Sequence, residues 1–349
     1  MGGFDIIGDI HGHHAKLVEL LRRLDYLPGQ DDGVWRSTNG RTAIFVGDLI
    51  DRGPEQRAVL ETVRGMVDHG DALIVMGNHE FNAIGWATED PGRPGVSLRP
   101  HTAKNFDQHA AFLALSDAER ASWVSWFATL PLWIEIDRDS GGPLRVVHAC
   151  WSSSAVEYLR PLLDAEHRFT SIEQIRLAHV PFRVDRSRGV ALVPNPFFEA
   201  VDTLLKGPEV DVHDYGAKEF RDKAGITRGF ARLRWWRAGE TSFDQLAEID
   251  PAGLDGNGEP YGDVVQVDLT PHDRRKIYAD DIPVVFGHHW RTWSPTLKVD
   301  FTDVAACVDF SAAKDGPLVA YRFDGPGPID PRHYLTADGP VALPSSADS

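Results

Sequence analysis

The sequence predicts an α/β fold built around parallel strands. The first 80 residues alternate short β-rich runs with amphipathic runs at helical spacing. Strand–helix–strand connections of this length give parallel strands joined by right-handed crossovers. Hydrophobic residues make up 42% of the 349-residue chain and charged residues 25%, which is typical of a globular protein with a sizeable core.

Three strands are predicted in this first region, at residues 4–8, 42–46 and 72–76. The helix between the first two strands ends at Pro28-Gly29, and the next helix begins at Pro54, because proline is favoured in a first helical turn. Each helix has one apolar face at helical spacing, so we expect both to pack against the sheet. The apolar faces comprise Leu17, Leu20, Leu21, Leu24, Val59, Leu60, Val63 and Val67.

The rest of the chain gives a less regular pattern. Residues 155–280 hold short helical patterns broken by proline and glycine, so we expect a mostly helical insertion or lid there, within a single domain spanning 1–330. Residues 337–349 are predicted to form a loose tail. The remaining predicted elements are helices at 106–115 and 118–130 and strands at 144–147, 283–286, 303–310 and 318–323.

Composition excludes several classes of protein. The net charge of -16 argues against general nucleic-acid binding, because phosphate backbones repel an acidic surface. No apolar run approaches the ~18 residues of a membrane span, so we expect no membrane partner. The two cysteines, Cys150 and Cys307, cannot form a disulfide framework, so we expect a reducing, cytoplasmic location.

Five predicted strands each end in residues that can bind a metal. Because ligands gather at the carboxyl ends of strands in open α/β sheets, we expect these side chains to meet at one edge. A glycine directly precedes the candidate in four of the five cases, which permits a sharp exit from the strand and a close backbone approach. The candidate ligands are Asp9, His11, Asp48, Asn78, His148 and His288.

The ligand types indicate two metal ions. Asp9, His11 and Asp48 can hold one ion, and Asp48 can bridge to a second ion held by the three remaining candidates. Mixed oxygen and nitrogen donors suit manganese, iron or zinc better than calcium. Two such ions, roughly 3.5–4 Å apart, polarise a phosphoryl oxygen and lower the pKa of a shared water, which attacks phosphorus as hydroxide.

Three motifs resemble those of a known family. Residues 8–12 (GDIHG), 47–53 (GDLIDRG) and 77–80 (GNHE) are similar to the signatures of the calcineurin-like metallophosphoesterases, in the branch of the phosphoprotein phosphatases and bacterial diadenosine tetraphosphatases. His148 and Gly287-His288 extend the resemblance to residue 288. The resemblance implies a two-sheet mixed β-sandwich flanked by helices, a four-layer αββα arrangement with the metals at one edge.

The resemblance also implies roles for individual residues. The six candidates above would bind two divalent ions, with manganese as the first choice and iron or zinc as alternatives; His289 stays open as an alternative to His288. His79 would be the general acid, Asp51 would orient it, and Arg52 would hold the phosphate oxygens. General chemistry agrees, because an alkoxide leaving group needs a proton and the planar fork of arginine suits phosphate.

Three functions remain open at this stage. The first is hydrolysis of a phosphomonoester, on a phosphoprotein or a small phosphate, by metal-activated hydroxide. The alternative is hydrolysis of a phosphoanhydride in diadenosine tetraphosphate or a related nucleotide. A remote third hypothesis is a non-catalytic, metal-bound scaffold, although no residue of the motifs is missing.

Residues 217–237 form a basic stretch within the acidic chain. They hold seven Lys or Arg residues against Glu219 and Asp222, and they include Trp235 and Trp236. One interpretation is an amphipathic helix with solvated arginines and core aromatics. The other is a basic, aromatic lid that attracts phosphate and stacks a nucleobase, which would favour the dinucleotide substrate.

Overall fold

The computed structural model describes residues 2–137, 143–185, 191–222, 225–293 and 301–340. The chain divides into two compact units, one formed by residues 1–206 and 282–349 and the other by residues 207–281. The single domain with an insertion at 155–280 stays a prediction, and residues 341–349 of the predicted tail lie outside the described residues. None of the helices in the described part of the chain has the length and apolar character needed to cross a membrane.

Strands and helices alternate through residues 4–74, apart from one short hairpin, as the hydrophobic pattern predicts. The described strands are β1 (Phe4–Ile7), β2 (Tyr26–Pro28), β3 (Trp35–Ser37), β4 (Thr42–Phe45), β5 (Ala72–Ile74), β6 (Trp133–Ile136), β7 (Leu144–Val147), β8 (Phe182–Asp185), β9 (Ala191–Pro194), β10 (Glu209–Asp211), β11 (Phe220–Arg221), β12 (Thr227–Arg228), β13 (Phe230–Arg232), β14 (Val284–Phe286), β15 (Ala305–Cys307), β16 (Val319–Phe323), β17 (Tyr334–Thr336) and β18 (Gly339–Pro340). The described α-helices are α1 (His14–Arg23), α2 (Gln56–Asp68), α3 (Asn78–Ala87), α4 (Ala103–Leu113), α5 (Asp117–Phe127), α6 (Ser153–Leu159), α7 (Ile172–Ala178), α8 (Pro196–Lys206), α9 (Phe243–Leu246) and α10 (Pro271–Arg274).

The first unit contains two mixed sheets. One has six strands in the order β18-β17-β16-β1-β4-β5, and the other has four in the order β15-β14-β7-β6. Strands β1, β4 and β5 are parallel, with Ile6 opposite Ile44, and β16 runs antiparallel to β1. In the second sheet β7, β14 and β15 are parallel and β6 is antiparallel. The predicted parallel core is therefore present, and each sheet also carries antiparallel edge strands.

One hydrophobic cluster takes residues from both sheets. It includes Ile6 and Ile44 from the six-stranded sheet and Val146 and Val285 from the four-stranded sheet, all completely buried. Strands β1 and β14 are buried at every position, as expected for strands covered on both faces. The two sheets thus share a core between them.

The predicted apolar helix faces are buried. Leu17, Leu20 and Leu21 of α1 have no exposed surface, and the same holds for Val59, Leu60 and Val63 of α2, whereas Val67 is only partly buried. Helix α2 begins at Gln56 rather than at Pro54. Helix α1 ends at Arg23, before the predicted stop at Pro28, because Tyr26–Pro28 forms strand β2 of a short hairpin with β3.

The second unit has its own hydrophobic core, centred on buried residues such as Leu233 and Phe243. Its strands pair as β10 with β13 and β11 with β12. The helix predicted within 217–237 is wrong, since this stretch contributes three short strands. The prediction that its aromatics are core residues is correct, because Trp235 and Trp236 are completely buried.

Candidate metal centre and active site

The six candidate ligands follow five strands of the first unit. Asp9 and His11 follow β1, Asp48 follows β4, and Asn78 is the first residue of α3, after β5. His148 directly follows β7 and His288 lies two residues after β14. All six side chains are buried, none more than 8% exposed.

Backbone hydrogen bonds tie these loops together. The carbonyl oxygen of Asp48 accepts from the N–H groups of Ile10 (3.1 Å) and His11 (2.9 Å), which joins the loops after β1 and β4. The N–H of Gly287 donates to the carbonyl oxygen of His148 at 2.7 Å, which joins the loops after β14 and β7. Each of these four loops is therefore hydrogen-bonded to a neighbouring loop, which helps to fix the side chains at the strand ends.

Asp48 lies between two groups of ligating atoms. One group is His11, Asp48 and His79, the other is Asp48, His148 and His288, and within each group the atoms lie within 4.8 Å of one another. Asp48 Oδ2 is 3.5 Å from His11 Nε2, and Asp48 Oδ1 is 3.4 Å from His148 Nε2. Each carboxylate oxygen thus faces a different group, which is the geometry of a bridging ligand.

The second group brings Asp48 and the Nε2 lone pair of His148 close to Asn78 and His288. His148 Nδ1 donates to the carbonyl oxygen of Val46 at 2.7 Å, so in the neutral ring Nε2 carries a lone pair. That lone pair lies 3.0 Å from Asn78 Oδ1 and 3.2 Å from His288 Nδ1. A cation placed among these donors would accept all of them, and the backbone bond on the far side of His148 fixes the ring for this purpose.

Buried atoms without a hydrogen-bond partner also occur at His11, in the first group, and at Asp9, a further candidate ligand. His11 Nδ1 donates to the carbonyl oxygen of Ile50 at 2.9 Å, and His11 Nε2 is buried with no hydrogen-bond partner among the described residues. Asp9 Oδ1 is likewise buried and unpartnered, while its Oδ2 accepts from the N–H of His288 at 3.1 Å. Buried polar atoms left without a partner are costly, so the residues present fit a bound metal ion here as well.

Electrostatics at the site agree with this fit. Burial and the nearby His79 lower the pKa of His11 to about 3, and burial lowers the pKa of His148, so both rings stay neutral and can bind a metal. Burial, Asp309 and Asp48 raise the pKa of Asp9 well above its ordinary value. A cation would relieve this repulsion between buried carboxylates.

The loops make room for these side chains through glycine and through unusual backbone angles. A Cβ at Gly287 would lie 2.1 Å from Asp9 Oδ1, and a Cβ at Gly77 would lie 2.3 Å from Asp48 Oδ1, so only glycine fits at either position. Six of the nine non-glycine residues with positive φ in the described chain lie in these loops: His11, Asp48, Asp51, Arg52, His288 and Trp290. Strained backbone conformations of this kind tend to occur at functional sites.

His79 belongs to the first group, and Asp51 contacts its ring. His79 Nδ1 is 2.5 Å from Asp51 Oδ2, and His79 Nε2 is 3.8 Å from Asp48 Oδ2. Burial lowers the pKa of His79, but Asp48 and Asp51 raise it by more, so its pKa lies above the ordinary value. The Arg52 guanidinium lies 4.2 Å from the centre of the Trp290 ring. This arrangement can hold a protonated imidazole and a guanidinium next to the metal-binding groups.

His289, the alternative to His288, has a different environment. His288 Nδ1 lies 2.8 Å from Asn78 Oδ1, within the second group, whereas His289 Nε2 lies 2.8 Å from the carbonyl oxygen of Ala149. The geometry therefore brings His288 to the group, and a backbone carbonyl lies against the ring of His289.

Sequence comparison agrees with this geometry. The model of the calcineurin-like phosphoesterase family matches residues 3–216. The chain belongs to this family. Membership confirms the resemblance carried by the three motifs, and it confirms the predicted α/β class with two mixed sheets flanked by helices.

Several members of the calcineurin-like family resemble parts of the chain. The symmetrical bis(5'-nucleosyl)-tetraphosphatase of Vibrio cholerae is 34% identical over 131 residues, 37% of this chain and 39% of that protein. The asymmetrical bis(5'-nucleosyl)-tetraphosphatase PrpE of Geobacillus sp. strain WCH70 is 44% identical over 75 residues, 22% of this chain and 30% of that protein. The chain thus spans about a third of the length of these curated relatives. A crystal structure of the cold-active protein-tyrosine phosphatase of a Shewanella species is 14% identical, covers 95% of this chain and 81% of that chain, and has a TM-score of 0.39.

Three buried residues near the candidate site were not assigned a role from the sequence. His109 of α4 contacts Asp51, Asp309 follows β15 and accepts the N–H of Trp290, and Glu80 of α3 accepts backbone N–H groups. Glu80 lies inside the GNHE motif, and Asp309 is a polar residue at a strand end. The sequence pattern could therefore have identified both as candidate site residues. His109 lies 58 residues from Asp51 with no motif around it.

Glu80 accepts three backbone N–H groups from two strand-end loops. Its Oε2 accepts from the N–H groups of Asp48 (2.8 Å) and Gly77 (3.0 Å), and its Oε1 accepts from that of Leu49 (2.8 Å). Burial and the nearby Asp48 raise the pKa of Glu80 to about 7, so at pH 8 the carboxylate is mostly ionised and can accept from all three.

We expect Glu80→Gln to destabilise the protein by about 1–3 kcal/mol at pH 8, because the amide nitrogen cannot accept and leaves buried N–H groups unpaired. Urea unfolding measures the change in the free energy of unfolding. Glu61→Gln, at an exposed position of α2, is the matched control and should change little. Equal stability of the two variants would contradict a bracing role for Glu80.

Proposed function

We propose that this chain hydrolyses phosphomonoesters with two divalent metal ions, on a phosphoprotein or a small phosphate. One observation carries the proposal: the two oxygens of Asp48 face separate groups of buried ligating atoms. A shared carboxylate between two nitrogen- and oxygen-rich groups suits a binuclear centre of manganese, with iron or zinc as alternatives. Membership of the calcineurin-like family supports the same chemistry.

The residues divide between two ions. Asp9, His11 and Asp48 would hold one, and Asp48 would share the second with Asn78 and the histidines that follow β7 and β14. When bound, the two ions supply Lewis-acid polarisation of a phosphoryl oxygen and a water of lowered pKa. His11 and His148 are prepared for this task because a backbone carbonyl already holds the outer nitrogen of each ring.

The neighbouring residues would act on the substrate. His79, whose pKa is raised by Asp48 and Asp51, would donate a proton from Nε2 to the leaving oxygen. Asp51 would hold the other ring nitrogen through its 2.5 Å hydrogen bond. Arg52 would place its guanidinium on the phosphate oxygens, supported from one side by the ring of Trp290.

A second candidate function is hydrolysis of a phosphoanhydride in a bis(5'-nucleosyl) tetraphosphate. The similarity to bis(5'-nucleosyl)-tetraphosphatases favours it, over about a third of the length of those relatives. The sequence argument from Trp235 and Trp236 no longer supports it, because both rings are completely buried and cannot stack a nucleobase. We therefore keep the monoester as the first proposal.

A parallel assay tests the choice. The manganese-loaded protein is given a phosphopeptide, a nucleoside monophosphate and diadenosine tetraphosphate, and kcat/KM is compared. We expect hydrolysis of at least one monoester at a higher kcat/KM than the tetraphosphate, loss of activity with excess chelator, and recovery with added Mn²⁺. A higher kcat/KM for the tetraphosphate would select the second function, and no hydrolysis of any substrate would overturn both.

A further inference from the structure

Asp51 lies between two histidines. Its Oδ2 is 2.5 Å from His79 Nδ1, and its Oδ1 is 2.6 Å from Nδ1 of His109. All three side chains are buried, with at most 3% of each residue exposed. An ionised carboxylate only accepts hydrogen bonds, so both Nδ1 atoms donate to it. Each oxygen of the Asp51 carboxylate is therefore hydrogen-bonded to a different histidine ring.

We propose that His109 is a positioning residue for the reaction, because it locks the Asp51 carboxylate in the orientation that His79 requires. The inference rests on the proposed function, since it assigns His109 a task only if His79 donates a proton to the leaving group. His109 itself touches no substrate.

The orientation of the Asp51 carboxylate needs a second hydrogen bond to hold it. The terminal torsion of an aspartate side chain is broad, so a carboxylate held by one hydrogen bond can rotate away from its partner. A second charge-assisted hydrogen bond on the other oxygen removes that freedom. The backbone of Asp51 is held as well, because its N–H donates to Gln56 Oε1 at 2.8 Å. Hydrogen bonds therefore hold both the backbone and the side chain of Asp51, and His109 donates one of those to the side chain.

The surroundings of His109 fit this positioning role. Its ring packs against Phe112 at 5.0 Å and Trp86 at 5.7 Å between ring centres. Its Nε2 is buried with no hydrogen-bond partner among the described residues, so Asp51 is the one side chain there that uses the polarity of the ring. A purely structural position between two aromatic rings would be better filled by an apolar side chain.

Two substitutions separate the hydrogen bond from the packing. His109→Phe keeps a ring and removes the donor, whereas His109→Asn places an amide N–H near the Nδ1 position and keeps the donor. Each variant is assayed for kcat and KM on an aryl phosphate with a good leaving group and on a phosphoserine peptide with a poor one, and its melting temperature is measured.

We expect His109→Phe to lower kcat for the phosphoserine peptide by about 10- to 100-fold, in the range seen when a supporting hydrogen bond behind a functional group is removed. The loss for the aryl phosphate should be much smaller, because a good leaving group needs little protonation. KM should change little for either substrate, and His109→Asn should recover most of the loss.

Phe127→Leu is the matched control, since Phe127 is a completely buried ring of helix α5. It should lower the melting temperature and leave the ratio of the two kcat values unchanged. Equal losses on both substrates for His109→Phe, or the same change of ratio in Phe127→Leu, would overturn the positioning role. If the wild type is active and His79→Asn is inactive but His109→Phe behaves as wild type, this inference fails and the proposed function stands; an inactive wild type means that the proposed function has failed.

Discussion

Asp48→Asn is expected to lower kcat/KM by at least about 1,000-fold, because two metal ions together supply several kcal/mol of transition-state stabilisation and each 1.4 kcal/mol is a factor of ten. Both oxygens of Asp48 face ligating nitrogens, 3.5 Å away on one side and 3.4 Å on the other. An amide offers one oxygen and no charge, so the variant should hold fewer than two ions per chain.

Metal content and activity are measured on the same samples after loading with excess Mn²⁺ and removal of free metal. Asp32→Asn is the control, because Asp32 is an exposed carboxylate paired with Arg36. It should retain two ions and full activity. Two tightly held ions and normal turnover in Asp48→Asn would refute the bridging role and, with it, the basis of the proposed function.

His79→Asn is expected to lower kcat on substrates with poor leaving groups by about 10²–10⁴-fold, the usual contribution of a general acid. Asparagine is close in size and can still donate to Asp51, but it cannot transfer a proton at pH 7. Because His79 is not among the proposed ligands, the variant should keep both metal ions.

Metal analysis decides between two roles for this ring. His79 Nε2 lies 3.8 Å from Asp48 Oδ2, and His79 belongs to the same group of ligating atoms as His11. Loss of an ion in His79→Asn would therefore identify a ligand and not an acid. Unchanged activity with intact metal would overturn the general-acid role, and abolished activity with intact metal would exclude the non-catalytic scaffold. His69→Asn, at an exposed position, controls for the loss of any histidine.

The sequence predicted which strand ends the structure brings together, because that information is local. In each case a short apolar run is followed within a few residues by the candidate ligand, as in Val46, Gly47 and Asp48. One general rule then predicts which residues lie close together, because the carboxyl ends of parallel strands share an edge of the sheet. Strands β1, β4, β5, β7 and β14 obey it, and their predicted bounds differ from the observed ones by at most two residues.

Other features depend on contacts that no local pattern records. His109 contacts a residue 58 positions earlier, and its own helix predicts only an amphipathic surface. Helix α3 was missed because its first turn coincides with the GNHE motif, where glycine and asparagine favour a turn. The strands of the second unit are two or three residues long, too short for an alternating pattern to be distinguished from a helical one.

The core shared by the two sheets has a consequence at their edge. Asp9, Asp48 and Asn78 follow strands of the six-stranded sheet, whereas His148 and His288 follow strands of the four-stranded sheet. An ion held by residues of both sets would cross-link the two layers, so metal uptake and closure of the β-sandwich at this end would be coupled events. Cells short of the metal would then face a less stable protein as well as an inactive one.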